Sequence, residues 1–137
     1  MARRRKKGNT QRVWLRADGE LPDDPVLHAC IVTYASDMTL LDTTVLPHGI
    51  GWADESVQMA SLDHAMWFHR PFRADRWLLY AQESPATSGA RGLARGELFT
   101  QDGQLVVSVV QEGLIRTTRR AVKEQAEKEL PRPQAAT

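Results

Sequence analysis

Apolar residues in the first third of the chain recur at spacings of three and four, which is typical of one face of a helix. They are Leu27, Cys30, Ile31, Tyr34, Met38, Leu41 and Val45. Asp24 stands before Pro25, as an N-cap carboxylate does before a proline in the first helical turn, and Pro47 and Gly49 end the pattern. The spacing predicts one helix of about 20 residues, with Cys30 as a small residue of its buried face.

The hydrophobic pattern changes to a period of two after Gly51, which indicates strands. The predicted strands are 11–16, before the helix, and 57–69, 76–83, 90–100 and 105–115 after it. Asp102 and Gly103 supply a hairpin turn between the last two strands. Gly92 and Gly96, on one face of a strand, predict a bulge, a bend or a close backbone contact.

This order of elements, one helix between a first strand and four later strands with short turns, predicts an α+β fold in which an antiparallel sheet wraps around the helix. We expect a single domain at 11–118, preceded by a basic disordered arm at 1–10 and followed by a charged tail at 119–137 that could form a short helix. A small sheet of this kind leaves strand edges uncovered, so a partner copy is expected to complete it.

Composition and charge narrow the class of protein. The 137 residues are 42% hydrophobic and 26% charged, a balance typical of one globular domain. Five basic residues fall in 3–7 and six from Arg116 onward, whereas the segment between carries seven basic and fourteen acidic residues. A nucleic-acid surface needs basic charge on the folded face, so no nucleic-acid partner is expected. The alternative, nucleic-acid binding through the tails, predicts affinity that falls steeply with salt.

Three features of the sequence bear on the cellular compartment of the protein. No apolar run reaches the roughly 18 residues that span a bilayer, and the charged first residues are not followed by the apolar stretch of a signal peptide. The single cysteine, Cys30, cannot form an internal disulfide. These features favour a cytoplasmic protein without a membrane span.

Common catalytic and metal signatures do not occur in the sequence: it has no G-x-S-x-G elbow, no glycine-rich phosphate loop with a lysine, no H-E-x-x-H and no paired C-x-x-C. The four histidines lack ligand spacing, because His64 and His69 alternate to opposite faces of the strand 57–69. No metal site is expected.

A few polar residues interrupt the apolar faces and are candidate functional groups. Asp37 and Asp42 lie on either side of the helical stripe, and periodicity does not choose between them. Gln111 continues an apolar line of alternate residues on the last strand, where a buried amide needs partners, although a purely structural hydrogen bond is the other interpretation. Ser61 and Asp63 interrupt the face of strand 57–69 opposite His64. These positions indicate that polar groups converge on the helix side of the sheet.

Six stretches of the sequence resemble, in order and spacing, the C-terminal repeat of the acyl-CoA thioesterase II family. They are Tyr34–Asp37, Pro47–Gly51, Ser61–Phe72, Trp77–Tyr80, Gly92–Gly96 and Gln111–Arg116. The string Asp-His-Ala-Met-Trp-Phe-His-Arg-Pro-Phe at 63–72 is the most specific of them, and the resemblance runs from about Trp14 to Arg116.

The resemblance implies a hotdog fold and hydrolysis of acyl-CoA to free fatty acid and CoA. It places the catalytic aspartate at Asp37, the hydroxyl at Ser61, where threonine is the residue we expect most often, and the glutamine at Gln111. In the implied mechanism Asp37 accepts a proton from water while Ser61 and Gln111 orient that water, so neither metal nor cofactor is needed.

Enzymes that resemble this chain carry two hotdog repeats in one polypeptide, and 137 residues have room for only the second. We therefore expect either a homodimer, or pairing with another hotdog chain, or a remnant in which the first ten residues replace the missing repeat. The alternative function is a non-catalytic hotdog module that binds acyl-CoA or pairs with another thioesterase chain.

Overall fold

The computed structural model describes residues 8–50, 54–118 and 121. Most of the predicted basic arm and charged tail, including its short helix, therefore lies outside the described residues. The elements are β1 (Thr10–Leu15), α1 (Pro25–Asp37), two 3₁₀ turns (Leu41–Thr44 and Leu46–His48), β2 (Val57–Ser61), β3 (Ala65–Phe68), β4 (Leu78–Ser88), β5 (Arg91–Thr100) and β6 (Leu105–Thr117). Within the described part of the chain, no helix is long and apolar enough to cross a membrane.

All of these strands form one antiparallel sheet with α1 against one face, which confirms the predicted α+β class. The order is β1-β4-β5-β6-β2. β3 also pairs with β6, along the same edge as β2. The predicted hairpin turn is present, with Gly103 at φ 86°. A second hairpin turn at Gly89 and Ala90, with φ 58° and 59°, joins β4 to β5, so β4 continues to Ser88 rather than ending at Glu83.

The helix differs from the prediction in length and in orientation. It ends at Asp37: Met38 is its C-cap, Leu41 begins the first 3₁₀ turn and Val45 lies between the two turns. Its buried residues are His28, Val32 and Ser36, whereas Tyr34 is 77% exposed and Cys30 is also exposed. The predicted stripe is therefore wrong at Cys30, Tyr34 and Met38, which are exposed, whereas Leu41 and Val45 are buried beyond the end of the helix. The helix carries apolar residues on two faces, and periodicity cannot tell which of them meets the sheet.

The first 3₁₀ turn lies close on the sheet because glycines face it. A Cβ on Gly92 would come within 2.7 Å of Thr44, and one on Gly113 would overlap Leu41. Gly96 similarly leaves room for the ring of Tyr80. Of the three alternatives predicted for Gly92 and Gly96, a close contact with the glycine backbone is present at both positions. The packing of the first turn on Gly92 and Gly113 holds the chain after Asp37 against β5 and β6.

The predicted strand 57–69 is two strands, β2 and β3, separated by a bulge. The N–H groups of Leu62 and Asp63 both point to the carbonyl oxygen of Glu112, at 2.9 and 3.4 Å, so two residues oppose one. Asp63 Oδ1 accepts the N–H of Glu112 at 2.6 Å, which links the bulged segment to β6. The extra residue reverses the alternation of side chains, so the predicted separation of Ser61 and His64 onto opposite faces is wrong.

Candidate active site

Gln111 is the fully buried centre of a polar cluster between α1 and the sheet. Its Nε2 donates to Asp37 Oδ1 at 2.6 Å and to Ser61 Oγ at 2.7 Å, which uses both of its amide hydrogens. Its Oε1 is buried and has no hydrogen-bond partner among the described residues. The opposite orientation of the amide would bring this oxygen to the Asp37 carboxylate, so the charge of Asp37 selects the orientation.

Asp37 is the last residue of α1, and its side chain is 58% exposed. The C-terminal end of a helix carries partial negative charge, so a carboxylate there needs donors from elsewhere in the fold. Gln111 supplies one to Oδ1, and Oδ2 has no hydrogen-bond partner among the described residues. Oδ2 is therefore available to accept a proton from a bound molecule.

Ser61 is the last residue of β2 and lies opposite Gly113, on the face of the sheet that holds Gln111. Its Oγ accepts the hydrogen bond from Gln111, so its own proton is free to be donated to a bound molecule. The structure thus brings together the three residues predicted for the site, Asp37, Ser61 and Gln111, with an acceptor and a donor left for substrate or water.

Of the two candidate aspartates, Asp37 lies in the polar cluster and Asp42 does not. Asp42 lies in the first 3₁₀ turn, outside the cluster, and partial burial raises the pKa of its carboxyl group.

Tyr80 underlies the cluster, where its hydroxyl donates to the carbonyl oxygen of Ser36 at 3.1 Å. Burial, and then the charge of Asp37, raise the pKa of Tyr80 well above its ordinary value, so it stays a neutral hydrogen-bond donor.

His64 joins the cluster although the sequence pattern placed it on the other face. Its Nε2 lies 2.8 Å from Ser36 Oγ, and its Nδ1 lies 3.7 Å from Asp37 Oδ1. The side chain is 21% exposed. Strict alternation along the strand does not anticipate the bulge, so the sequence pattern carried no signal that places His64 here. Among the residues described, no group of three or more His, Cys, Asp or Glu side chains could hold a metal ion.

Comparison with known proteins relates this arrangement to a family. A family model described as acyl-CoA thioesterase matches residues 2–114. Human acyl-coenzyme A thioesterase 8 is 50% identical over 107 residues, which cover 77% of this chain and 33% of that protein. The crystal structure of acyl-CoA thioesterase II TesB2 from Mycobacterium marinum is 51% identical, with a TM-score of 0.76 over 88% of this chain and 46% of that one.

A hot-dog-like protein from Thermanaerovibrio acidaminovorans shares the fold alone, with 14% identity and a TM-score of 0.58 over 91% of this chain and 93% of its own. The expected hotdog fold is confirmed. The chain spans 33% of the length of the human relative and 46% of the mycobacterial structure.

Proposed function

The chain belongs to the acyl-CoA thioesterase family, and from this premise we propose that it hydrolyses fatty acyl-CoA to free fatty acid and CoA. The observation that carries the proposal is the double hydrogen bond of Gln111, which joins Asp37 to Ser61. This leaves Asp37 Oδ2 as an acceptor and the Ser61 hydroxyl as a donor, on two side chains that both contact the Gln111 amide. A water molecule held between them has an acceptor for its proton and a donor to its oxygen.

In the proposed reaction the water oxygen attacks the thioester carbonyl carbon while Asp37 takes a proton at Oδ2. Ser61 and Gln111 fix the orientation of the water, Gln111 through its hold on the other two side chains. The tetrahedral intermediate then collapses, the C–S bond breaks, and the CoA sulfur takes the proton that Asp37 had accepted. Because Asp37 takes a proton from water and later returns it to the CoA sulfur, the proposed hydrolysis uses neither metal nor cofactor. No covalent acyl-enzyme forms.

The substrate site needs a second hotdog unit, which we propose is another copy of this chain or a separate hotdog chain. Large apolar side chains are uncovered at the end of α1, where Tyr34 is 77% exposed and the C-cap residue Met38 is 65% exposed. Covering such a surface removes apolar area from water. It would also exclude bulk water from the surroundings of Asp37.

We place the protein in the cytoplasm, in keeping with its single unpaired cysteine, Cys30.

The first test is release of free CoA, detected with a thiol reagent, from a panel of acyl-CoA esters, with the mass of the protein determined by light scattering. Asp37→Asn should lower kcat by about 100-fold or more, while Asp42→Asn, the matched aspartate outside the cluster, retains it. Turnover that survives in Asp37→Asn would remove Asp37 from the mechanism. A folded dimer that binds acyl-CoA without turnover would favour the non-catalytic module.

A further inference from the structure

His64 has an environment that the proposed mechanism leaves unexplained. One ring nitrogen, Nε2, is paired with the Ser36 hydroxyl at 2.8 Å. The other, Nδ1, is buried, has no hydrogen-bond partner among the described residues, and faces Asp37 Oδ1 across 3.7 Å. This separation is too long for a hydrogen bond but short enough for strong electrostatic interaction. Whether Nδ1 presents a proton or a lone pair therefore determines whether it attracts or repels the Asp37 carboxylate.

The Ser36 hydroxyl determines which ring nitrogen carries the proton. It has a single hydrogen and three candidate acceptors: the carbonyl oxygen of Thr33 at 2.8 Å, His64 Nε2 at 2.8 Å and the thioether sulfur of Met66 at 3.5 Å. The sulfur is a weak acceptor, so the choice lies between Thr33 and His64. If it donates to Thr33, His64 must donate from Nε2, and a neutral ring then turns the lone pair of Nδ1 towards a carboxylate. If it donates to His64, the proton of the neutral ring is on Nδ1 and points at Asp37, which is the favourable arrangement.

We propose that His64 is a positioning residue for Asp37, held by Ser36 in the tautomer that carries its proton on Nδ1. The inference rests on the proposed function and deepens it. With Gln111 donating to Oδ1 from one side and His64 turned to the same oxygen from the other, the carboxylate is oriented so that Oδ2 faces the attacking water.

The sheet register explains why Gln111 and His64 both face Asp37. Ala65 pairs with Val110, so continuing the register by one residue places His64 opposite Gln111 on β6. The bulge at Leu62 and Asp63 is what brings both His64 and Ser61 to the helix side. The same local irregularity thus supplies the hydroxyl of the site and the second group that faces its carboxylate.

Two substitutions separate the roles of the ring nitrogens. The amide nitrogen of His64→Asn can take the place of Nδ1, whereas His64→Gln reaches the position of Nε2 and loses the group that faces Asp37. We expect His64→Gln to lower kcat about tenfold with KM within about twofold, and His64→Asn to keep kcat within about threefold of the unaltered chain. His69→Gln is the matched control, because His69 bonds Ser108 on the outer face.

Equal kcat in the Gln and Asn variants, or a rise in KM with kcat unchanged, would overturn the proposal. Thermal unfolding of each variant shows whether a loss of kcat reflects a loss of folded protein. Since His64→Gln can fail to fold, the tautomer is also read in the unaltered chain from the ¹⁵N shifts of the His64 ring. Protonated Nδ1 and unprotonated Nε2 support the proposal, and the reverse pattern contradicts it.

The two proposals fail in different ways. An unaltered chain that hydrolyses no acyl-CoA as a folded dimer contradicts the proposed function and, with it, a role for His64 in that reaction. A chain that does hydrolyse acyl-CoA and is unaffected by His64→Gln contradicts only the inference about His64.

Discussion

Ser61 and His64 face the same side of the sheet, although their separation of three residues along one extended segment would put them on opposite sides. Ser61 meets Gln111, and His64 meets Ser36 of the helix. The β-bulge opposite Glu112 adds one residue between them and so makes this possible. An irregularity of the strand, and not its regular pleat, therefore builds this corner of the candidate site.

Removing the side chain that closes the bulge should impair the site more than the fold. Asp63 Oδ1 accepts the N–H of Glu112 at 2.6 Å, outside the polar cluster. We expect Asp63→Ala to lower kcat about tenfold, because Ser61 and His64 lose their fixed spacing, with a loss of stability of about 1 kcal/mol. Asp63→Asn, which keeps an acceptor oxygen, is the control. Kinetics and thermal unfolding of both variants test this, and equal kcat in the two would count against it.

Replacing Gln111 should lower the activity of the protein without lowering its stability. It is fully buried, and its Oε1 has no hydrogen-bond partner among the described residues. Gln111→Met keeps the shape but removes the unpaired oxygen along with both donors. We expect kcat to fall about 100-fold while Tm is unchanged or rises by a few degrees, as at other sites that sacrifice stability for function. A large drop in Tm would indicate that Gln111 is mainly a structural hydrogen-bonding group.

Activity should require a hydroxyl group at position 61, whether serine or threonine supplies it. Ser61→Ala removes the hydroxyl that accepts from Gln111 and has a proton to donate, so we expect kcat to fall about 10- to 100-fold. Ser61→Thr keeps the hydroxyl and should stay within about threefold, because the added methyl group only restricts its rotamers. The CoA-release assay on both variants distinguishes a required hydroxyl from a required small side chain.

The close packing of the first 3₁₀ turn on β6 depends on a glycine. A Cβ at position 113 would overlap the side chain of Leu41, which is buried. Gly113→Ala should therefore destabilise the fold by about 1–3 kcal/mol, as overpacking does elsewhere. Gly8→Ala, where a Cβ would meet nothing within 4 Å, is the control for denaturant unfolding. Equal unfolding midpoints for the two variants would show that the turn shifts freely.

Acid should weaken the loop that leads into β4. Hydrogen bonds from Arg73, and then from the N–H of Leu21, hold the pKa of Asp75 well below its ordinary value. A lowered folded-state pKa contributes stability above the unfolded value of about 4, and that contribution is lost as pH falls below it. Asp75→Asn should therefore show a shallower decline of Tm below about pH 4 than the unaltered chain. Asp18→Asn, at an exposed turn, should keep the original slope.

The sequence alone determined the fold class and the elements that depend on local signals. The N-cap Asp24, the Asp102-Gly103 turn and the two-residue alternation of the later strands act within a few residues, so pattern and propensity predict them. The motifs that resemble the thioesterase family placed Asp37, Ser61 and Gln111 as candidates, and the structure brings these three into contact.

Only the tertiary structure decided which helical face is buried, where α1 ends and what surrounds Asp37. Apolar residues lie on two faces of α1, so burial of His28, Val32 and Ser36 depends on which face the sheet meets. The bulge that turns His64 inwards arises from pairing with Glu112, 50 residues or so further along the chain. Contacts between residues so distant in sequence leave no periodic signal, and for that reason neither the helix face nor His64 could be read from the pattern.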